Sequence, residues 1–484
     1  MAPKLLTDAA AAGPGPRGGS IRARVGLAAA PATVPAGAAL AGAGPQEVAV
    51  IDIGSRLEPF VDDELIAEMT GVALRLHHPT PREVVLAFDA PWEGPISGYV
   101  TVFKDDDRFR MYYRGWQDQD DRDDVTCYAE SPDGIEWTKP SLGLFEVKGT
   151  SENNVIWTGE GTHNFAPFKD ANPDAPDSQR YKALAYGPLL AFASPDGIHW
   201  EKMRDKPVIT EGAFDSQNLA FWDADQDRYV AYLRGFVDGI RTIGRATSRD
   251  FLKWTGTTWL DFGDAPAEHL YTNAITPYFR APHIHLGFPK RFVPDRKAVP
   301  HWPHPGVSDG LFMSSRDGLH WRRAPEAFLP PGPDPDNWTE RNMMIAAGIL
   351  PTAPGELSIY WIEHYRHATA RLRRGTLRTD GFVSLHADGA GGEVVTDPLV
   401  FEGRELVINY ATSAAGSVRV EIQNGGGAPV AGRTLDDCPP IYGDEIERVV
   451  AWKDGSDVGA EQERAIRLRF ALKDADLFAI RFRP

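Results

Sequence analysis

The sequence contains two carboxylates that are candidates for a catalytic pair. Asp215 and Glu268 each precede, by a few residues, a segment with the composition of a β-strand. Such pairs cleave glycosidic bonds, because one carboxylic acid protonates the departing oxygen while the other carboxylate attacks the sugar carbon or activates water. Separations of ~5 Å give retention and ~6.5 to 9.5 Å give inversion. The two residues are therefore candidates for paired acid and base chemistry.

A third carboxylate is assigned to Glu93, in the sequence WEGP at residues 92–95, just before the first predicted strand of a repeat region. Asp62 and Asp63, in the sequence VDDELI at residues 61–66, are alternative sources of that group. A turn or a solvated loop is the competing explanation for all of these acids, and equally for Asp215, because Asp oxygens accept hydrogen bonds from nearby backbone N–H groups. Both explanations stay open at this point.

Aromatic and polar residues near the same predicted strand starts are candidate sugar contacts. Aromatic rings stack on sugar faces, while guanidinium and amide groups hydrogen-bond to hydroxyls. The candidate substrate-binding residues are Trp92, Tyr271, Asn273, Trp338, Arg341 and Asn342.

Metal and cofactor sites are not indicated. His283 and His285 alternate along a predicted strand, and His301 and His304 lie among prolines, which does not match the spacing of metal ligands. The chain shows no glycine-rich dinucleotide or phosphate motif. We therefore expect no cofactor and no metal.

Four copies of one heptapeptide predict how these residues are positioned. The copies begin at residues 131, 194, 248 and 315 and read SPDGIEW, SPDGIHW, SRDFLKW and SRDGLHW, and TDGF at 379–382 is a degraded fifth copy. The Ser and Asp oxygens suit a tight turn, Gly accepts a positive φ, and Trp packs between sheets. The spacing is about one four-stranded blade, so we predict a five-bladed β-propeller. The acids inside the copies, which we predict to be turn residues, are Asp133, Asp196, Asp250 and Asp317.

Pairs of strand-like segments fill the intervals between these turns. Their aromatic and β-branched content favours sheet, and acidic turns join several pairs. The segments are 98–103 and 109–114, 164–168 and 181–185, 218–222 and 229–233, 274–278 and 283–287, and 344–348 and 357–362. A propeller directs the inner strand of each blade toward one axis, so the residues before these strands are expected to share a pocket.

The pattern of apolar and polar residues changes near residue 395. Residues 405–410, 417–422 and 466–470 alternate apolar and polar side chains with period two, which is typical of a β-sandwich with one solvated face. We predict an all-β protein in three parts. Residues 1–45 form a disordered or signal-like tail, 46–395 a catalytic propeller that residues 48–53 and 71–76 lead into, and 396–484 a C-terminal β-sandwich.

Composition limits the partners. The chain has 484 residues, 47 Gly, 39 Pro and a formal net charge of −17, which disfavours nucleic acid and anionic membrane surfaces. A carbohydrate is the predicted partner. Only Cys127 and Cys438 occur, so no disulfide scaffold is indicated. Arginines ahead of a weakly apolar run near the start leave a cytoplasmic and an exported protein both open, and the oligomeric state is not indicated.

Five blades followed by a sandwich is the layout of the invertase and fructofuranosidase family of glycoside hydrolases, which residues 85–484 resemble. The blades also resemble the arabinanase and arabinofuranosidase family. In the invertase family an Arg-Asp-Pro motif, an acid/base Glu and an Asn-Asp-Pro-Asn-Gly motif line the axis. FDSQNLAFW at 214–222 resembles the first, with Asp215 in the Asp position, and EHLYTNAITP at 268–277 supplies Glu268 as the acid. The third would correspond to WEGPISG at 92–98, with Glu93 in place of the nucleophile.

The resemblance implies a glycoside hydrolase that acts on a furanoside or a related sugar. The altered first-blade motif equally permits a non-catalytic carbohydrate-binding propeller. The repeated turn also resembles the Asp box of sialidases, but that family has six blades, an arginine triad and a Tyr nucleophile, which the sequence alone does not assemble.

Overall fold

The chain is built almost entirely from β-strands. The computed structural model describes residues 49–119 and 123–484, so the predicted tail at residues 1–45 lies outside the described residues. Helix in the described residues is confined to four short 3₁₀ helices, Thr162–Asn164, Asp177–Gln179, Pro335–Trp338 and Gly459–Glu461. None of the described helices has the length and apolar character that crossing a membrane requires. The predicted all-β class is confirmed.

Five strands precede the repeat region. They are β1 (Ile51–Gly54), β2 (Glu58–Pro59), β3 (Ile66–Thr70), β4 (Ala73–Leu76) and β5 (Thr80–Ala87). The first four pair with strands at the C-terminal end of the chain, whereas β5 joins a sheet of the repeat region.

Three four-stranded antiparallel sheets follow, each with its strands hydrogen-bonded in chain order. The first sheet contains β6 (Gly98–Asp105), β7 (Arg108–Gly115), β8 (Val125–Ser131) and β9 (Val155–Thr158). The second contains β10 (Ala166–Lys169), β11 (Tyr181–Ala185), β12 (Leu190–Ser194) and β13 (Glu201–Lys202). The third contains β14 (Leu219–Asp223), β15 (Arg228–Val237), β16 (Ile240–Ser248) and β17 (Thr258–Trp259). The predicted strands all fall within or beside these elements.

The next eleven strands form a fourth sheet, a fifth sheet and a small insertion. They are β18 (His269–Leu270), β19 (Thr276–Tyr278), β20 (Ala281–Gly287), β21 (Lys290–Val293), β22 (Val307–Gly310), β23 (Met313–Ser315), β24 (Arg322–Arg323), β25 (Met344–Ile345), β26 (Leu350–Ala353), β27 (Glu356–Glu363) and β28 (Arg371–Arg378). The fourth sheet has the order β19-β20-β23-β24, and β18, β21 and β22 form a separate three-stranded sheet. The fifth sheet contains β25–β28 and is completed by β5, with Leu86 opposite Leu372.

The repeated heptapeptides form the same turn in each of the first four sheets, as predicted. In the second copy, Oδ1 of Asp196 accepts hydrogen bonds from the backbone N–H groups of Ile198 and His199, both at 2.8 Å. The indole N–H of Trp200 donates to the carbonyl of Gly197 at 3.0 Å. Phe251, with φ of 63°, adopts the left-handed conformation that glycine has in the other three copies.

These turns also join neighbouring sheets. Tyr112, on β7 of the first sheet, donates to the carbonyl of Gly197 in the turn of the second sheet at 3.2 Å. Tyr232 of the third sheet donates to Gly318 in the turn of the fourth sheet at 3.1 Å. Tyr360 of the fifth sheet donates to Gly134 in the turn of the first sheet. The fifth sheet is therefore a neighbour of the first.

A larger, ten-stranded sheet ends the chain. Its remaining strands are β29 (Val383–Ala387), β30 (Gly392–Thr396), β31 (Leu399–Phe401), β32 (Glu405–Asn424), β33 (Asp444–Val449) and β34 (Ile466–Arg483). β32 and β34 pair antiparallel from Glu405 opposite Arg483 to Asn424 opposite Ile466. The apolar side chains of both strands pack in one core with Ile53 and Phe60 from the start of the chain.

Two sequence-based expectations are corrected by this sheet. Residues 48–53 and 71–76 were expected to lead into the propeller, but β1 pairs with β31 and β4 pairs with β29. Residues 405–410 and 417–422 are one strand with an irregularity between Thr412 and Ser417, not two strands. Alternation identifies a strand and its buried face but carries no information on its partner. Residues Val48–Pro484 form one compact unit.

Candidate active site

The bends before the second and third sheets bring a carboxylate and an imidazole together. Asp215 lies in the bend before β14, and 63% of its side chain is exposed. His163 lies in the 3₁₀ helix before β10, and its Nε2 is 2.9 Å from Oδ1 of Asp215. Because an ionised carboxylate only accepts hydrogen bonds, His163 is the donor. The two residues form an Asp–His pair that solvent reaches.

Two further groups hold this pair. Oδ2 of Asp124 is 3.6 Å from Nδ1 of His163 and accepts a hydrogen bond from Thr162 at 3.1 Å. On the opposite side, Nη2 of Arg234 is 4.0 Å from Oδ2 of Asp215. His163 thus lies between two carboxylates, an arrangement that orients the ring.

The charge state of Asp215 follows from these contacts. Desolvation alone raises the pKa of Asp215, but the hydrogen bond and charge of His163, followed by the charges of Arg234 and Arg114, hold that pKa well below its usual range. Asp215 is therefore ionised at neutral pH. It is suited to accept a proton or to stabilise positive charge on a sugar, and not to donate a proton.

Tyr271 lies beside this pair and is surrounded by cations. The guanidinium of Arg234 is 5.0 Å from the centre of the Tyr271 ring, and Nζ of Lys290 is 4.3 Å from it. Arg341 lies 5.5 Å and Arg241 5.3 Å from the same ring. Aromatic rings attract cations within ~6 Å. Since only 5% of Tyr271 is exposed, the ring serves as a buried surface against which the cations pack.

Arg114 links this cluster to the Asp–His pair. It lies near the end of β7, with its guanidinium 4.6 Å from the ring of Tyr99 and 4.9 Å from that of Trp116. Nη2 donates to the carbonyl of Ile96 at 2.7 Å, and Nη1 is 3.2 Å from Nε2 of His163. The cationic cluster and the Asp–His pair therefore belong to one site.

Two residues of this site have left-handed backbone conformations. Tyr99 has φ of 52° and Arg341 has φ of 65°. Side chains with a Cβ adopt this region at a cost of about 1–3 kcal/mol, and such conformations concentrate at functional sites. The backbone thus holds both side chains in place at some expense of stability.

Lys290, the first residue of β21, is the most deeply buried cation of the site, with 1% of its surface exposed. The nearest acceptors of its Nζ are the carbonyl of Arg341 at 3.4 Å and Sδ of Met344 at 3.8 Å. Burial, followed by the charges of Arg341, Arg114 and Arg234, lowers the pKa of Lys290 well below its usual range. The ammonium form is therefore disfavoured unless an anion is near.

Glu268, predicted as the acid, is in ion pairs just before β18. Its Oε1 is 3.1 Å from Nη1 of Arg291, and its Oε2 is 3.0 Å from Nη2 of Arg323. Arg291 also pairs with Asp309 at 2.6 Å. In the described part of the chain, the polar contacts of Glu268 are with these arginines and none is with Asp215.

Glu93 and Trp92 lie in the core at the edge of the first sheet. Glu93 is fully buried, and it accepts hydrogen bonds from Tyr113 at 2.5 Å and Lys139 at 2.6 Å. The indole N–H of Trp92 donates to Oδ1 of Asn154 at 2.9 Å. The structure thus places both residues in internal contacts.

The predicted amide contacts are structural, whereas Tyr271 and Arg341 lie in the site. Nδ2 of Asn273 is 3.3 Å from the carbonyl of Gln217, and Nδ2 of Asn342 donates to the hydroxyl of Thr339 at 2.7 Å. Trp338 is partly exposed, and its indole N–H donates to a backbone carbonyl at 2.7 Å.

The alternative carboxylates also have ion-pair partners. Oδ2 of Asp62 is 2.9 Å from Nε of Arg316, and Oδ2 of Asp63 is 2.7 Å from Nη2 of Arg322. Both arginines belong to the fourth sheet or its repeat turn. These acids therefore attach the N-terminal segment to that sheet.

Within residues 49–119 and 123–484, one cluster has ligand atoms close enough to share a cation, namely Asp334, Asp336 and His364. His364 already bonds to Asp334 at 2.8 Å, and Arg371 is 3.6 Å from the same carboxylate. Because the guanidinium of Arg371 already places a positive charge beside Asp334, we assign no metal there.

His163 was not predicted from the sequence, although a repeated signal marks it. His163 and Arg341 each directly precede an asparagine that lies two residues before a strand, in HN at 163–164 and RN at 341–342. Arg114 and Arg234 likewise occur in matching positions, in RGW at 114–116 and RGF at 234–236. Aligning the repeats on these short sequences, instead of on the turns, would have identified the residues of the site.

A cavity of about 460 Å³ lies at the other ends of the first strands, lined by Val102, Thr276 and Gly348 among others. Two of its charged lining residues, Lys169 and Asp106, pair with each other at 3.0 Å.

Comparisons with known proteins give structural likeness alone. The sequence matches no protein-family model and no curated protein. Among solved structures, the chain is similar to the GH32 β-fructofuranosidase of Bombyx mori, with 10% identity over 84% of this chain and 94% of that one, and a TM-score of 0.41. It is similar to the endo-arabinase of Bacteroides thetaiotaomicron, with 11% identity over 62% and 98%, and a TM-score of 0.40.

A protein described as a glycoside hydrolase has 14% identity over 63% of this chain and 93% of that one, with a TM-score of 0.44. The resemblance inferred from the sequence is confirmed in that a β-fructofuranosidase and an endo-arabinase are both among the similar structures. At these TM-scores and identities the likeness carries no argument about the activity of this chain.

Proposed function

We propose that the protein is a glycosidase built as a five-bladed β-propeller with a C-terminal β-sandwich, and that its active site contains Asp215. The turn contacts from the first sheet to the second, from the third to the fourth and from the fifth back to the first support a closed ring of blades. Completion of the fifth sheet by β5 supports the same closure.

The observation that carries the proposed activity is the ionised, exposed carboxylate of Asp215 beside His163. A glycosidase needs a carboxylate that stabilises charge on the sugar ring and a second group that transfers a proton. Asp215 suits the first task. His163, placed between Asp215 and Asp124, suits the second, because an imidazole can both donate and accept a proton.

Glu268, the proton donor of the sequence-based hypothesis, is the alternative to His163 for the second task. Its side chain is partly exposed, unlike that of Glu93, which supports Glu268 over Glu93 in this role. We propose a furanoside or a related sugar as the substrate, on the basis of the resemblance to the invertase and arabinanase families.

A panel of aryl furanosides and aryl pyranosides tests the proposal. We expect release of the aryl group from at least one of them, and loss of that release in Asp215→Asn. A carbohydrate-binding propeller without activity is the second candidate, because Glu93 is locked in internal hydrogen bonds where a nucleophile was predicted. Binding of a sugar without turnover of any substrate in the panel would favour that candidate.

A further inference from the structure

The charges in the site do not balance. Arg114, Arg234 and Arg341 lie around Tyr99 and Tyr271. Of these three, only Arg234 has a described carboxylate within ion-pair distance, that of Asp215 at 4.0 Å. This excess of positive charge is unusual in a chain with a formal net charge of −17. An arginine cluster retained in such a chain indicates a negatively charged ligand.

Two of the guanidinium groups also have unused donors. Nε of Arg114 and Nε of Arg341 are buried and have no hydrogen-bond partner among the described residues. Buried donors are nearly always paired in folded proteins. An unpaired donor in each of two arginines of one cluster is therefore a second indication that a ligand completes the site.

Two nearby acids make their close polar contacts with other groups. Glu340, the buried neighbour of Arg341 in the chain, is paired with Arg366 at 3.1 Å. Asp124 is held by His163 and Thr162. The buried amine of Lys290 has only weak acceptors and becomes a further cation when it takes up a proton.

We propose that this site binds a sugar bearing an oxyanion, namely a carboxylate, a sulfate or a phosphate, between Arg114, Arg234 and Arg341. The planar guanidinium fork matches the paired oxygens of all three groups. The inference rests on the proposed glycosidase function and names its substrate class. Asp215 would then face the sugar ring while the arginines hold the charged substituent.

Isothermal titration calorimetry on the full chain tests the inference. The probes are methyl galactopyranoside as the neutral reference, methyl galactopyranosiduronic acid, galactose 6-sulfate and galactose 6-phosphate, together with acetate, sulfate and phosphate alone. We expect at least one charged sugar to bind tenfold or more tightly than the neutral one. The affinity should fall as NaCl is raised, because salt screens the arginines. The three charged sugars distinguish the sources of the oxyanion.

Variants locate the interaction. Arg341→Gln and Arg114→Gln should each weaken binding of the charged sugar at least tenfold. Arg341→Lys should bind the charged sugar more tightly than Arg341→Gln, because the positive charge is kept. Arg108→Gln is the matched control, since Arg108 pairs with Glu130 on the exposed surface of the first sheet and should bind like the wild type. Thermal unfolding of each variant identifies any that does not fold, and Arg341→Lys then remains as the test.

Proton uptake supplies an independent readout. A nearby anion favours the ammonium form of Lys290, so binding should take up protons, measured as a difference in heat between buffers of unequal ionisation enthalpy. Lys290→Met should abolish that uptake. Equal affinity for charged and neutral sugars, or unchanged binding in both arginine-to-glutamine variants, overturns the inference.

The aryl glycoside panel separates the two proposals. Binding of charged sugars without turnover of any aryl glycoside supports the oxyanion site and overturns the glycosidase activity. Hydrolysis of neutral aryl glycosides with no binding of any oxyanion overturns the oxyanion site and leaves the activity in place.

Discussion

Among the three predicted catalytic carboxylates, Asp215 differs from Glu268 and Glu93 in what it contacts. Asp215 is exposed and bonded to an imidazole, whereas Glu268 is paired with two arginines and Glu93 is buried against Lys139 and Tyr113. A side chain that contacts substrate must be exposed to solvent in the unliganded protein. At the scale of single residues, Asp215 is therefore the first to test.

Asp215→Asn keeps the size of the side chain and removes its charge. We expect kcat/KM to fall by ~10² to 10⁴-fold on substrates with good and with poor leaving groups alike, because the lost charge acts on the sugar ring. Steady-state kinetics on both substrate types measures this. Asp225→Asn, in the exposed turn between β14 and β15, is the matched control and should keep wild-type rates.

Glu268→Gln is expected to behave differently. If Glu268 donates the proton, turnover of substrates with poor leaving groups should fall by ~10² to 10⁴-fold, while activated aryl glycosides should suffer less because their leaving group needs no proton. The variant also leaves Arg291 and Arg323 without their carboxylate, so its thermal stability must be measured alongside. Wild-type rates on all substrates for both variants would redirect the search to Glu93, Asp62 and Asp63.

At the scale of the structural element, the repeated turn is the unit that joins the sheets. The centre of the Trp200 ring lies 5.0 Å from the centre of the Phe165 ring. It lies 6.5 Å from the centre of the Tyr112 ring, which belongs to the preceding sheet. Trp321 packs 5.8 Å from Tyr232 in the same way. The turn thus stabilises two sheets at once through one indole.

Replacement of these indoles tests that role. We expect Trp200→Ala and Trp321→Ala each to lower the free energy of unfolding by about 3–5 kcal/mol, because each leaves a large buried cavity. The folded fraction should keep nearly normal activity. Trp259→Ala, at an exposed position on β17, is the control and should cost about 1 kcal/mol or less. Equal stability of the wild type and the turn variants in urea unfolding would contradict the packing role.

The acids of the turns predict how stability depends on pH. Burial on its own raises the pKa of Asp196, but hydrogen bonds from the backbone and imidazole of His199 lower it to about 2. The pKa of Asp317 is likewise lowered to about 2, despite burial, by His320. Since the unfolded value is about 3.9, these groups stabilise the fold fully above about pH 4 and lose that contribution as the pH falls toward 2.

Unfolding in urea at pH 6 and at pH 2.5 checks this. We expect the stability of the wild type to drop between the two values by more than that of Asp196→Asn or Asp317→Asn, because the amide does not titrate. A drop of the same size in all three proteins would show that other groups govern acid unfolding.

At the scale of the whole molecule, the two ends of the chain depend on each other. β1–β4 pair with β29–β31 and β34, and β5 completes the fifth sheet with β28. One apolar core contains side chains from residue 53 to residue 482. The C-terminal sheet is therefore not an independent attachment.

Truncation after residue 395 tests this dependence. The shortened chain lacks β32 and β34, so β2 loses its partner strand, β29 and β30 each lose one of two partners, and the apolar core is exposed. We expect aggregation during expression or on size-exclusion chromatography. A soluble truncated protein with wild-type thermal stability would show that the two parts are only tethered.

The sequence by itself determined the features that arise within a few residues. The Ser, Asp, Gly and Trp spacing predicted the four turns, because their hydrogen bonds span only three positions. Strands such as β11 and β20 were predicted to within two residues from aromatic and β-branched content. Asp215 was found because it precedes such a strand.

Only the tertiary structure decided which of these elements meet. His163 and Asp215 are 52 residues apart, and Arg114 approaches His163 across 49 residues. The pairing of β1 with β31 joins positions far more distant in the chain. Such contacts depend on how whole sheets pack, and a local pattern is equally compatible with many packings. The cationic cluster around Tyr271 exists for that reason only in the folded chain.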